Sequence, residues 1–142
     1  MVALGLLAFR AWAGSSEVTL EAPAATVPAG TAVSLRVVEK IAGSVAIDGC
    51  EPVELERHEG DRWVPMPPLA CDGSAPASRL DDALAIALPA PPAGEYRAVL
   101  VWGAGCAENL PLVMAGCRRL GSTTSAPFKV LGVAPAPPRT TP

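Results

Sequence analysis

The stretch Val53-Glu54-Leu55-Glu56-Arg57-His58-Glu59-Gly60-Asp61-Arg62-Trp63-Val64-Pro65-Met66 decides the fold. Residues alternate along both arms around Gly60-Asp61, the period of two that sends successive side chains to opposite faces of a strand. A Gly-Asp link between two such arms predicts a tight hairpin. Counting outward from the turn, His58 faces Trp63, Arg57 faces Val64 and Leu55 faces Met66. The same count carried further sets Cys50 opposite Cys71, so register alone proposes that these two are joined.

The same period runs through much of the chain. Val33, Leu35 and Val37 alternate with Ala32, Ser34 and Arg36 after the turn Pro28-Ala29-Gly30-Thr31, and Val18 and Leu20 alternate in a short edge strand ending at Pro23. Leu84, Ile86 and Leu88 alternate with alanines. Tyr96, Ala98, Leu100 and Trp102 alternate with Arg97, Val99 and Val101 after Pro91-Pro92-Ala93-Gly94, and Pro127 to Leu131 supplies the last run. Seven short strands with turn signals between them predict an all-β chain folded as a β-sandwich. Trp102 shares parity with Tyr96 and Leu100 and is assigned to the core or its rim. Trp63 lies on the outer side of the hairpin, where it covers an arginine stem or marks a contact surface.

The 142 residues hold one domain, and 16 prolines with 13 glycines forbid long helices. Eleven basic residues against 14 acidic ones, scattered except for Arg118-Arg119, form no stripe that could track a phosphate backbone, so nucleic acid is excluded as a partner. No apolar run approaches the roughly 20 residues that span a bilayer. Val2 to Phe9 is apolar, and Ala11-Trp12-Ala13 has the small-x-small form that signal peptidase reads. Residues 1–13 are therefore expected to be a signal peptide, with a buried N-terminal strand as the alternative. Residues 14–132 form the sandwich domain, and 133–142, with prolines at 135, 137, 138 and 142, a disordered tail. Such a chain is secreted or periplasmic.

In that compartment Cys50, Cys71, Cys106 and Cys117 are expected as two disulfides. Register favours Cys50 with Cys71, leaving Cys106 with Cys117. Cys50 with Cys106 competes, because the start of the third strand and the end of the sixth lie at the same end of a sandwich. Each closure is worth about 3 kcal/mol through the unfolded chain.

Catalytic and cofactor chemistry finds no footing. The only imidazole, His58, sits among Glu56, Arg57 and Glu59 on a charged hairpin, with no partnered nucleophile in view. The cysteines have neither C-x-x-C spacing nor a neighbouring histidine, which argues against zinc. Glu51, Glu54, Glu56, Glu59 and Asp61 lack the calcium-loop pattern and are expected to be a solubilising edge. No catalytic residue, metal or cofactor is expected.

Taken together, Pro28-Ala29-Gly30-Thr31 before an alternating strand, the charged hairpin Leu55 to Pro65, Pro92-Ala93-Gly94-Glu95-Tyr96-Arg97, and Ser125-Ala126-Pro127-Phe128-Lys129-Val130 resemble bacterial immunoglobulin-like domains over about Glu17 to Leu131. That resemblance implies an immunoglobulin-like sandwich and a non-catalytic, extracytoplasmic module for adhesion, spacing or partner binding. Within this frame a long disulfide-closed loop precedes the last strand. It holds Leu110, Leu112, Val113 and Met114, followed by Arg118 and Arg119. Loops at sandwich ends are where binding surfaces are built, so these residues and Trp63 are the candidates for contact with a protein partner. The competing expectation is a short helical turn that caps the core, with the apolar side chains folded inward. A protease inhibitor presenting the Cys106 to Cys117 loop is the alternative function.

Overall fold

The structure, a computed structural model, describes residues 18–40, 45–67, 71, 74–80 and 83–132; about half of them are strand and the rest turns and irregular connections with one short 3₁₀ turn. In chain order the strands are β1 (Val18–Glu21), β2 (Thr26–Val27), β3 (Val33–Glu39), β4 (Val45–Ile47), β5 (Val53–Glu59), β6 (Arg62–Pro65), β7 (Ser78–Arg79), β8 (Ala83–Leu88), β9 (Gly94–Ala104), β10 (Arg119–Thr124) and β11 (Phe128–Val130). A single 3₁₀ turn, Leu112–Met114, lies between β9 and β10. The expected signal peptide and proline-rich tail fall outside the described residues.

Alternation builds two sheets. In the smaller, β3 runs antiparallel between β1 and β8. The larger forms around β9, whose one edge pairs first with β5 and then with β4, while the other pairs with β11 and then β10. Beyond these, β6 pairs with β5, β7 with β4, and β2 runs parallel to β11. The inward rows meet in one cluster: Val33, Leu35 and Val37 from β3, Tyr96, Leu100 and Trp102 from β9, Phe128 and Val130 from β11. The fold is all-β and consistent with a β-sandwich.

Among the described residues there are eleven strands where seven were expected. Three of the additional ones, β2, β4 and β7, are two or three residues long, too short for any periodicity to show. The fourth, β10, corrects the expected loop: the segment after Cys117 is strand, so the disulfide-closed loop joins β9 to β10, and two strands follow it rather than one. Its sequence, Arg-Leu-Gly-Ser-Thr-Thr, hides the core face. At Gly121 the ring of Trp102 occupies the space a side chain would fill. At Thr123 the inward group is a hydroxyl that accepts from Trp102 Nε1 at 3.2 Å and donates to the Val18 carbonyl at 3.2 Å, tying one sheet to the other.

Between β10 and β11 the register slips by one residue relative to β9, from Thr124 opposite Val99 to Phe128 opposite Tyr96. This bulge lets Ser125 and Phe128 both point inward, although an even number of residues, 126 and 127, lies between them. Ser125 is buried and occupies both backbone groups of Ala98: its amide donates to the Ala98 carbonyl at 2.8 Å, and its hydroxyl accepts the Ala98 amide at 2.9 Å.

The hairpin register is as the count predicts, with Arg57 opposite Val64, His58 opposite Trp63, and the Met66 amide donating to the Leu55 carbonyl at 2.9 Å. Cys50 is bonded to Cys71 and Cys106 to Cys117, with Cα atoms 6.2 and 3.9 Å apart. The competing Cys50–Cys106 pairing does not form. Trp102 is buried on the inward face, as its parity requires.

Candidate functional site

The site begins with a missing side chain. On β9, parity turns Leu100, Trp102 and Ala104 inward and Gly103 outward, yet Gly103 is buried. A Cβ at this position would stand 2.6 Å from Cys117 Sγ, 2.7 Å from Cys106 Sγ and 3.1 Å from Leu112 Cδ1. The disulfide and Leu112 therefore lie against the outer face of the larger sheet, in the depression that glycine leaves. The loop contains the short helical turn expected as the alternative, and Leu112 is folded inward, but onto this outer face rather than over the open end of the core. Leu112 and Ala115 are buried, but neither belongs to the main core cluster.

Polar contacts fasten the loop across the sheet. The Ala77 amide donates to the Leu110 carbonyl at 2.9 Å, anchoring it beside β7, and Arg79 Nη2 lies 3.1 Å from Glu108 Oε1. Within the loop the Ala107 amide donates to the Ala115 carbonyl at 2.8 Å, and the Met114 amide to the Pro111 carbonyl at 2.9 Å. The exposed ion pair adds little to stability. Position is fixed chiefly by the disulfide and the burial of Leu112.

With the loop placed, its apolar residues separate. Leu112 is 5% exposed, Leu110 39%, Met114 67% and Val113 87%. Leu112 is thus a structural anchor, and Val113 and Met114 form the presented tip. Arg118 and Arg119 are exposed at the start of β10; Arg119 sets its guanidinium 5.9 Å from the Trp102 ring centroid. Two further residues, Val101 and Leu120, are half or more exposed at 49% and 62%. Leu120 is the register partner of Gly103, and Val101 lies two residues before it on the same face of β9. The outer face of the sheet on which the loop is seated thus carries exposed apolar side chains of its own. The run Val99-Leu100-Val101-Trp102, apolar on both faces of one strand, carries a readable signal for Val101 in the sequence, whereas nothing there marks Leu120.

Trp63 lies away from the loop, on the hairpin. Its ring stacks on His58 with centroids 4.7 Å apart, and the Arg97 guanidinium sits 4.6 Å from its centroid. Arg97 Nε donates to Glu56 Oε1 at 2.6 Å, and His58 Nδ1 lies 3.2 Å from Glu95 Oε2. Trp63 thus covers an arginine, one of its two expected roles. His58 has a carboxylate beside it and an indole against its ring. Among the described residues no group of three or more His, Cys, Asp and Glu side chains converges where a metal could sit, and no helix is long and apolar enough to cross a membrane.

A shallow groove of ≈ 380 Å³ lies on the smaller sheet, lined by Glu21, Ser34, Arg36, Leu84 and Ala85 among others. It contains one ion pair, Arg36 Nη1 to Glu21 Oε2 at 3.9 Å. No family model matches the chain, and no curated protein matches it.

Proposed function

We propose that this chain is a non-catalytic, extracytoplasmic immunoglobulin-like module that binds a protein partner through Val113 and Met114, with Val101 and Leu120 extending the contact onto the sheet. One observation carries the reading: two large apolar side chains are 87% and 67% exposed on a turn whose neighbour Leu112 is pinned beneath a disulfide. A rigidly held apolar tip loses little conformational freedom on binding. The arginines at 118 and 119 give the patch a basic border, which suits a partner with an apolar knob and acidic surroundings.

The immunoglobulin-like assignment is supported by strand order. The first strand lies on the β3–β8 sheet, and after Pro23 the chain crosses to the other sheet, where β2 runs parallel to the last strand. The Tyr96 hydroxyl donates to the Pro92 carbonyl at 2.7 Å, four residues upstream at the start of a central strand, in the manner of a tyrosine corner. Two disulfides fit a compartment outside the reducing cytosol, and the leader-like residues 1–13 fit export as a signal peptide.

The loop geometry favours this reading over protease inhibition. An inhibitor presents extended backbone to an active site, whereas here the Leu110 carbonyl is taken by Ala77 and the next residues turn into a 3₁₀ element. The test is to immobilise the wild-type protein and the double variant Val113→Ser/Met114→Ser and compare what each retains from native envelope extract. A species held by the wild type and lost by the variant, at equal melting temperature, is expected. Equal retention by both, or retention of nothing by either, overturns the proposal. Protease inhibition that disappears on reduction would instead establish the alternative.

A further inference from the structure

Every sheet has edges, and natural sheets guard them. Here β6 carries Arg62 and Pro65, β10 carries Arg119 and a row of hydroxyl residues, and β2 and β7 are two residues long. The Val18 carbonyl on β1 is occupied by Thr123. The strand β8 has none of these protections. It pairs with β3 on one side and, among the described residues, with no strand on the other. Its six residues, Ala-Leu-Ala-Ile-Ala-Leu, contain no charge, proline or glycine, and the register with β3 runs unbroken from Val33 opposite Leu88 to Val38 opposite Ala83, without a bulge. The inward row also stops short: Val37 is fully buried, yet its partner Leu84 is 38% exposed.

We infer that the free edge of β8 pairs antiparallel with β8 of a second copy of this chain, joining two three-stranded sheets into one. The sequence is its own complement. With Ile86 on the two-fold axis, Leu84 of one copy faces Leu88 of the other and Ala85 faces Ala87, so the large side chains continue the core row and the small ones share the outer face. The exposed flank of Leu84 then meets the partner's Leu88. A two-fold contact sets each residue near the axis against its own image or a close neighbour's, so an edge bearing charge repels itself, and β8 is an edge where it does not. Glu21 and Arg36, which line the groove beside Leu84 and Ala85, lie 3.9 Å apart and oppose each other in sign. The groove over Ser34, Leu84 and Ala85 leaves the outer face open beside the new pair.

The test is sedimentation of the whole chain over a wide concentration range. The wild type is expected to pass from monomer to dimer with mass action, and A85K to remain monomeric at every concentration with only a small drop in melting temperature, since Ala85 is exposed but faces Arg36 on β3. A87E alone should likewise stay monomeric. Mixing A85K with A87E should restore a dimer, because Lys and Glu meet across the proposed register; this arm also tests the fold of each variant, since a misfolded chain would not recover association. A wild type that is monomeric throughout overturns the inference. So does a dimer that survives A85K, or one abolished instead by Val113→Ser/Met114→Ser, which would move the contact to the loop face. Partner capture by the loop does not enter this measurement, so the two proposals fail separately.

Discussion

Gly103→Ala tests the placement of the loop most directly. The added methyl would stand 2.6 and 2.7 Å from the sulfurs of Cys117 and Cys106 and 3.1 Å from Leu112 Cδ1, well inside van der Waals contact. The sulfurs are bonded to each other across the base of the β9–β10 hairpin, so neither can swing away alone. Overpacking of this kind costs about 1–3 kcal/mol, and three simultaneous obstructions place it in the upper half of that span. Replacing both cysteines, Cys106→Ala/Cys117→Ala, removes the two closest obstructions, leaving only the flexible end of Leu112, and on its own costs about 3 kcal/mol through the unfolded chain. On that background Gly103→Ala should cost less than about 0.5 kcal/mol, in the range of an unobstructed substitution. A coupling energy of about 1.5–3 kcal/mol is therefore expected from urea unfolding of the four proteins. Equal costs in the two backgrounds would refute the seating of the disulfide on Gly103, and with it the anchoring of the tip.

Leu112→Ala should cost about 2–3 kcal/mol, the lower part of the range for a buried leucine because its small cluster lies near the surface, whereas Val113→Ser and Met114→Ser should each stay within about 0.5 kcal/mol; thermal melts of the three variants separate anchor from tip. Trp63→Ala should cost about 1–2 kcal/mol in urea unfolding, through loss of the His58 stack and the Arg97 contact. Tyr96 is the single tyrosine in the sequence, so its phenolate absorbance reports one site. Burial holds its pKa above the ordinary 10.0, with Arg57 opposing the rise and Glu59 adding to it. Because the folded value lies above the unfolded one, the folded state keeps its proton longer. The resulting stability is complete below pH about 10 and is lost as pH rises through the folded value. Tyr96→Phe should show a shallower alkaline decline in melting temperature, and should also lose about 1 kcal/mol from the bond to the Pro92 carbonyl.

What could be read from the sequence follows from where alternation is written in apolar letters. The arms around Gly60-Asp61 and the rows on β3 and β9 carry it, so their register, the first disulfide and the inward face of Trp102 were legible. On β10 the inward positions are Gly121 and Thr123, whose packing consists of an indole face and a bridging hydroxyl, and no hydropathy pattern expresses either. The position of the loop was illegible for a related reason. It depends on Gly103 facing outward, and a glycine in a strand gives no sign that a disulfide from ten residues of intervening chain will fold back onto it. The four apolar loop residues look alike in sequence, and only the depression at Gly103 makes Leu112 differ from Val113.

That difference bears on how such a surface could change. Leu112 and Ala115 are buried outside the main core, so the loop rests on its own small base of two apolar side chains, one disulfide and a glycine. The tip residues contribute almost no buried area, and their replacement leaves both the base and the main core as they are. Recognition and folding are thus assigned to adjacent residues with opposite exposure. A set of Val113 and Met114 replacements should accordingly vary widely in what they bind while melting at one temperature, whereas replacements at Leu112 should vary in melting temperature and change binding only as far as the tip is released. A set in which the two properties move together at 113 and 114 would mean that the tip, and not only its anchor, supports the fold.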